Sequence, residues 1–122
     1  MKRRIYISGP MTGIEPREYR RRFREAETIL RRHGYGCINP CRVWPCRFPW
    51  LYRLMNALLG RRLTYAVILA YDLILLMTRA DGIAMLPGWQ SSRGAQIENY
   101  TAMHFPMMGI SRQAAEEIER IK

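Results

Sequence analysis

Two carboxylates and a tyrosine are the residues of this chain best suited to act together on one ligand: Glu98, Asp72 and Tyr6. Breaking an N-glycosidic bond passes through an oxocarbenium-like sugar. A carboxylate below the anomeric carbon stabilises or traps that charge, while an acid opposite protonates the departing base, the division of labour between the two carboxylates of retaining glycosidases. Glu98 fits the first role and Asp72 the second. Tyr6 can donate its hydroxyl to Glu98, which keeps the acid ionised and oriented without using a charge. On spacing alone each has a plainer alternative: a helix-surface glutamate, a capped or paired acid in an apolar helix, and a core tyrosine. Asp81 falls at the far end of its strand and reads as a helix–strand junction residue.

The elements that must position these groups centre on Asp81 to Glu98. Gly82 to Leu86 is a short apolar run stopped by Pro87-Gly88, hence a buried strand and a turn. Ser91-Ser92 offers N-cap side chains, so a helix begins near Ser92 and carries Glu98 six residues on. A strand, a small-residue turn and a helix in that order leave free backbone N–H groups and a positive dipole end at the strand's C-terminal edge, a corner that binds anions. A carboxylate beside a phosphate cradle repels the phosphate, so Glu98 makes sense there only if it acts on another part of the ligand.

Arg4 to Ser8 alternates as a first strand, followed by a tight loop, Gly9-Pro10-Met11-Thr12-Gly13, whose glycines let backbone approach a ligand. Pro16 opens a helix running to about His33, with Tyr19, Phe23, Ala26, Ile29 and Leu30 as its buried stripe and arginines on the other faces. Tyr35 to Asn39 is a second strand closed by Pro40. Cys41 to Pro49 reads as a loop over the site, with Trp44, Phe48 and Trp50 able to stack on a flat ligand or to seal the core edge. Leu51 to Leu59 reads as a short helix ending at Gly60, and Leu63 to Arg79 as a longer one in the core. Met107 to Ile110 reads as a fourth strand, and Ser111 caps a last helix from Arg112 to about Ile121, with Glu116 and Arg120 at supportive spacing. No internal repeat is apparent. The order β-α-β-(loop, α, α)-β-α-β-α predicts one α/β domain over residues 1–122, a small Rossmann-like (flavodoxin-like) parallel sheet with helices on both faces. Ligands of such sheets sit outside the strands' carboxyl ends, where both glycine-bearing loops fall.

At 122 residues, with 48% hydrophobic and 25% charged content, the chain suits a single globular domain. Its net charge is +10, all but Lys2 and Lys122 of the 20 basic residues being arginine. That suits an anionic ligand or a nucleic-acid surface without choosing between them. The apolar run after Met1-Lys-Arg-Arg is too short for a secretion signal, and Leu63 to Met77, interrupted by Asp72, is too short to span a bilayer. Cys37, Cys41 and Cys46, even with His33, match no standard zinc spacing, so the expectation is reduced thiols in a cytoplasmic protein, with no metal and no cofactor.

Tyr6-Ile-Ser-Gly-Pro-Met-Thr-Gly13, Asn39-Pro40, Tyr71-Asp72-Leu73 and Leu86-Pro-Gly88-Trp89-Gln-Ser-Ser92-Arg93-Gly94-Ala-Gln-Ile-Glu98 resemble the DUF4406 family, which is similar to nucleoside 2-deoxyribosyltransferases and 2′-deoxynucleoside 5′-phosphate N-hydrolases. The resemblance implies that Glu98 attacks C1′ of the deoxyribose, that Tyr6 holds its carboxylate, and that Asp72 lies near the sugar or base. Ser92 and Gly94 match the phosphate-binding Ser-x-Gly of the N-hydrolases. Substrate contacts are expected from Ser8, Gly9, Pro10, Met11, Thr12 and Gly13 on one loop and from Gly88, Trp89, Ser92, Arg93 and Gly94 on the other. Where those hydrolases carry a loop arginine this chain has Thr12, so phosphate would rest on backbone N–H groups, Thr12, or another arginine such as Arg93. Relatives are homodimers whose neighbouring subunit helps complete the site, so a homodimer or higher oligomer is expected.

Three functions fit these residues: cleavage or transfer of a deoxynucleoside N-glycosidic bond, a nucleotide-binding module without turnover, and a nucleic-acid binder using Arg17, Arg20, Arg21, Arg22 and Arg24. The absence of an interleaved aromatic motif or recognition-helix pattern counts against the last.

Overall fold

Ile5, Tyr6 and Ile7 are consecutive and fully buried. Strand side chains alternate in direction, so the strand that carries them needs cover on both faces. The computed structural model, which describes residues 2–43, 47–105 and 107–122, supplies that cover. β1 (Arg4–Ser8) is the middle strand of a parallel sheet ordered β2-β1-β3, between β2 (Gly36–Ile38) and β3 (Gly82–Met85). Ile5 and Ile7 pack with Ala84 and Leu86 against α1 (Pro16–Arg32) and α4 (Arg112–Glu119). Tyr6 faces the other way, with Ile38, toward Leu76 of α2 (Pro49–Arg79) and Ala102 of α3 (Arg93–Met103). This is the expected small Rossmann-like α/β fold with helices on both faces.

The helices end where their sequence says they should. Pro16 and Pro49 each occupy a first turn, where a missing N–H costs nothing. The Ser92 and Ser111 side chains accept from the N–H groups of Ala95 and Ala114. Phe23, Ala26, Ile29 and Leu30 bury one stripe of α1, while Arg21 on another face pairs with Glu18 and Glu25. The last helix stops at Glu119, and Glu116 pairs with Arg112 at 3.2 Å.

The break within α2 falls where it was expected, while the burial of its second half and the fourth strand depart from expectation. The predicted pair of helices, Leu51 to Leu59 and Leu63 to Arg79, is present as two helical stretches of α2 that meet at Gly60, whose φ of 81° is open to glycine at little cost. Its second half is a core helix only in part: Leu76 is fully buried beside Tyr6, while Leu63 and Ile74 are 51% and 54% exposed. The stretch from Arg61 to Arg79 alone reaches roughly 28 Å, whereas a strand of this sheet spans only about 15 Å, so much of its apolar surface has no sheet to lie on. The predicted fourth strand, Met107 to Ile110, is extended chain rather than a strand. One bond fixes it beside β3, from Met108 N–H to the Asp81 carbonyl (2.7 Å), while Met107 packs on one core and Ile110 on the other. It straddles the sheet edge at the mouth of β3 and builds no ladder.

That crossing makes Gly82 irreplaceable by size, since a Cβ there would stand 2.3 Å from the Met108 carbonyl oxygen. Gly82→Ala is expected to destabilise the fold by about 1–3 kcal/mol in urea denaturation. An unchanged midpoint would contradict this packing.

Candidate active site

Glu98 reaches the sheet because Ser92 fixes where α3 begins. Two turns into α3, its side chain points down at the face of β1 that carries Tyr6 and Ser8, and it is only 6% exposed. The Tyr6 hydroxyl donates to Oε2, and the Ser8 hydroxyl donates to Oε1 at 2.8 Å. These two residues lie two apart on β1, so the strand's own alternation aims both at one carboxylate. Each oxygen of Glu98 accepts one hydroxyl and keeps a lone pair. Ser8, expected to touch substrate, is fully buried and serves Glu98 instead.

Asp72 approaches the same place from α2. Burial, followed by the charge of Glu98, pushes its carboxyl up to about 8. Glu98 is raised by burial to about 7, a rise opposed by the hydroxyls of Tyr6 and Ser8. Burial thus holds both carboxyls well above the usual carboxylate range, Asp72 further than Glu98, so that Asp72 keeps its proton when Glu98 has lost its own. One is then available as a base or nucleophile and the other as an acid, which is the protonation asymmetry that glycosidic chemistry needs. Asp81 sits at the opposite end of β3, where Oδ2 accepts the Arg4 N–H at 2.9 Å.

Both acids open onto a cavity of about 640 Å³. Of the expected site residues, Tyr6, Gly9, Met11, Thr12, Gly13, Asp72, Ser92, Gly94 and Glu98 line it. Pro10, Gly88, Trp89 and Arg93 are not among its lining residues, and Arg93 is exposed. The turn after β3 explains the division: Trp89 to Ser91 form a 3-10 turn outside the cavity, and Ser92, Gly94 and Ala95, at the start of α3, line it. Gly94 is pressed by a neighbour, since a Cβ there would lie 3.1 Å from the Tyr65 hydroxyl.

The remaining walls come from residues the motifs did not flag. α1 contributes Pro16, Tyr19, Arg20 and Phe23, and α2 contributes Pro49, Tyr52, Arg53, Tyr65, Ile68 and Leu69. Helical spacing from Asp72 back to Leu69, Ile68 and Tyr65 was available as a signal, since residues three, four and seven apart share a face. Of the aromatics expected over the site, Trp44 lies outside the described residues. Phe48 and Trp50 turn away, the one 42% and the other 64% exposed, and Tyr19, Tyr52 and Tyr65 take the place expected of them. One buried acid that the sequence reading missed is structural: Glu27 is buried in α1, where it accepts from the Asn39 amide (3.2 Å) and pairs with Arg31 and Arg42. It thereby fixes Asn39 and the cavity-lining Pro40. Among the described residues no helix is long and apolar enough to cross a membrane.

Residues 3–110 match the model of a family described as Domain of unknown function (DUF4406). Comparison with curated proteins and with solved structures gives no match.

Both site carboxyls bind protons more tightly in the folded chain than at their ordinary values of 4.5 and 3.8. The contribution of these two carboxyls to stability is therefore most favourable below about pH 4, where folded and unfolded chains are both protonated, and falls as pH rises toward 8. In urea titrations from pH 4 to 8 the wild type should lose stability relative to Asp72→Asn, which should be the more stable at pH 8 by about 1 kcal/mol or more. A destabilising Asp72→Asn would contradict the raised Asp72 carboxyl.

Proposed function

Because the chain belongs to the DUF4406 family, whose description assigns no activity, we propose from the site's own chemistry that it cleaves or transfers across the N-glycosidic bond of a 2′-deoxynucleoside or its 5′-monophosphate. The observation that carries this is the buried Glu98 carboxylate, oriented by Tyr6 and Ser8 in the wall of a cavity that Asp72 also lines. In the proposed reaction a Glu98 oxygen bonds to C1′ as the C1′–N bond breaks. The electron pair leaves with the base, which takes the Asp72 proton. The Asp72 carboxylate then accepts a proton from water, whose oxygen attacks C1′ and releases Glu98. A second base in place of that water makes the reaction a transfer. The chemistry needs no metal or organic cofactor.

A nucleotide-binding module without turnover would use the same cavity, but it has no need of two buried acids in its wall. Incubation with deoxynucleosides and their monophosphates, followed by chromatography for free base, separates the two. Release by wild type and its loss by a factor of about 10³ or more in Glu98→Ala support cleavage. The rate should follow a bell between about pH 7 and 8, with Glu98 ionised on the acid limb and Asp72 protonated on the alkaline one. Intact ligand after long incubation, or undiminished release by Glu98→Ala, would overturn the proposal.

The enzyme we propose is a homodimer in a reducing, cytoplasmic setting that leaves Cys37 and Cys41 as free thiols. The support is apolar side chains along α2: Leu54, Leu58, Leu59, Leu63 and Ile74 are each 45% exposed or more. Exposed apolar surface of that extent marks an interaction face. Light scattering should give twice the chain mass, and Leu58→Glu should shift it toward monomer; a wild-type monomer at micromolar concentration would contradict the assembly.

A further inference from the structure

α1 and α2 open on the same five-residue pattern, Pro16-Arg-Glu-Tyr19-Arg20 and Pro49-Trp-Leu-Tyr52-Arg53. In both copies the proline occupies the first turn, and the proline, tyrosine and arginine all line the cavity, while the two residues between do not. Spacings of three and four place those three side chains on one helical face. Two helices far apart in sequence thus present the same triad to one space. Among the described residues lining that space, Arg20 and Arg53 are the cations.

We propose that the two Pro-x-x-Tyr-Arg turns form a paired clamp for a phosphate ester, so that the ligand of this site is a phosphorylated deoxynucleoside rather than the free nucleoside. The identity of the ester as a deoxynucleotide rests on the glycosidic function proposed above; the clamp itself rests on the cavity. A cavity with carboxylates in its wall disfavours an anion unless cations face the anion's own position. Thr12 is neutral and Arg93 lies outside, so neither glycine-bearing loop brings a cation to the cavity. Two guanidinium groups from different helices suit a phosphate, whose oxygens accept several charge-assisted hydrogen bonds at once. The companion tyrosines add a hydroxyl beside each arginine. Arg20 is half-buried and Arg53 exposed, so one arm is set in the wall while the other reaches from the open side. Arg21 and Arg22 of α1 are engaged with Glu18 on another face, which leaves Arg20 as the arginine that α1 turns inward.

Calorimetric titration of the full chain with 2-deoxyribose 5-phosphate and with 2-deoxyribose tests this without requiring any bond to break. The phosphate ester should bind the wild type tighter by about tenfold or more, and Arg20→Ala and Arg53→Ala should each remove about tenfold of that preference. Arg20→Lys should restore part of it, and Arg17→Ala, on the outer face of α1, should leave it unchanged. Circular dichroism melting confirms that each variant is folded, and exposed Arg53 provides the test should Arg20→Ala fail to fold. Equal affinity for the two sugars, or a preference unmoved in folded Arg53→Ala, overturns the clamp. Base release with indifferent arginine variants would remove the clamp alone. Clamped phosphate with no base release would support the clamp and remove the glycosidic function.

Discussion

A glutamate taken almost completely out of water, with one hydroxyl on each carboxylate oxygen, is the constraint on which the rest of the site depends. Burying an ionisable acid is costly unless it is hydrogen-bonded or neutralised. Here both remedies are present in part. Tyr6 and Ser8 satisfy the oxygens, and the remaining penalty raises the Glu98 carboxyl to about 7. A carboxylate poised at that value is half-charged where cells operate, and it is held in one orientation by a strand that cannot move without disturbing the whole sheet.

β1 makes this possible because its two faces have different tasks. Ile5 and Ile7 anchor it in the core beneath α1 and α4, so Tyr6 and Ser8 are rigidly placed on the other side. Gly9 then lets the chain leave the strand against Leu86, where any side chain would collide. α2 and α3 bring Asp72 and Glu98 to that face from separate helices, so each acid can be shielded to its own degree. The cost is a long α2 with more apolar surface than a three-stranded sheet can cover, and the proposed second copy is the natural cover for it.

Much of this was legible in the sequence because it lies in local chemistry. The alternation of Arg4 to Ser8, the prolines that open helices, the serine caps and the break at Gly60 are each decided within a few residues, and each appears near where it was expected. The partnership of Tyr6 with Glu98 was legible too, through the resemblance and the topology together. What failed was decided at a distance. Ser8 was expected at the ligand, but its direction follows from where α3 docks. Met107 to Ile110 has strand-like residues, yet its place at the sheet edge depends on Gly82. The aromatics were sought in the loop before α2, whereas the cavity uses Tyr52 and Tyr65 within it. Arg20 was counted with a charged surface, and only the shared face of Pro16, Tyr19 and Arg20 reveals its direction.

The central claim, that the Glu98 oxygen forms a bond to the sugar, is tested most directly by mass spectrometry of protein quenched during turnover of a 2′-fluoro-2′-deoxynucleoside, a substrate whose slowed second step lets the sugar accumulate. The account predicts an added sugar mass that tandem fragmentation places on Glu98. Base release with the sugar on another residue, or with no covalent sugar at any time, would contradict it.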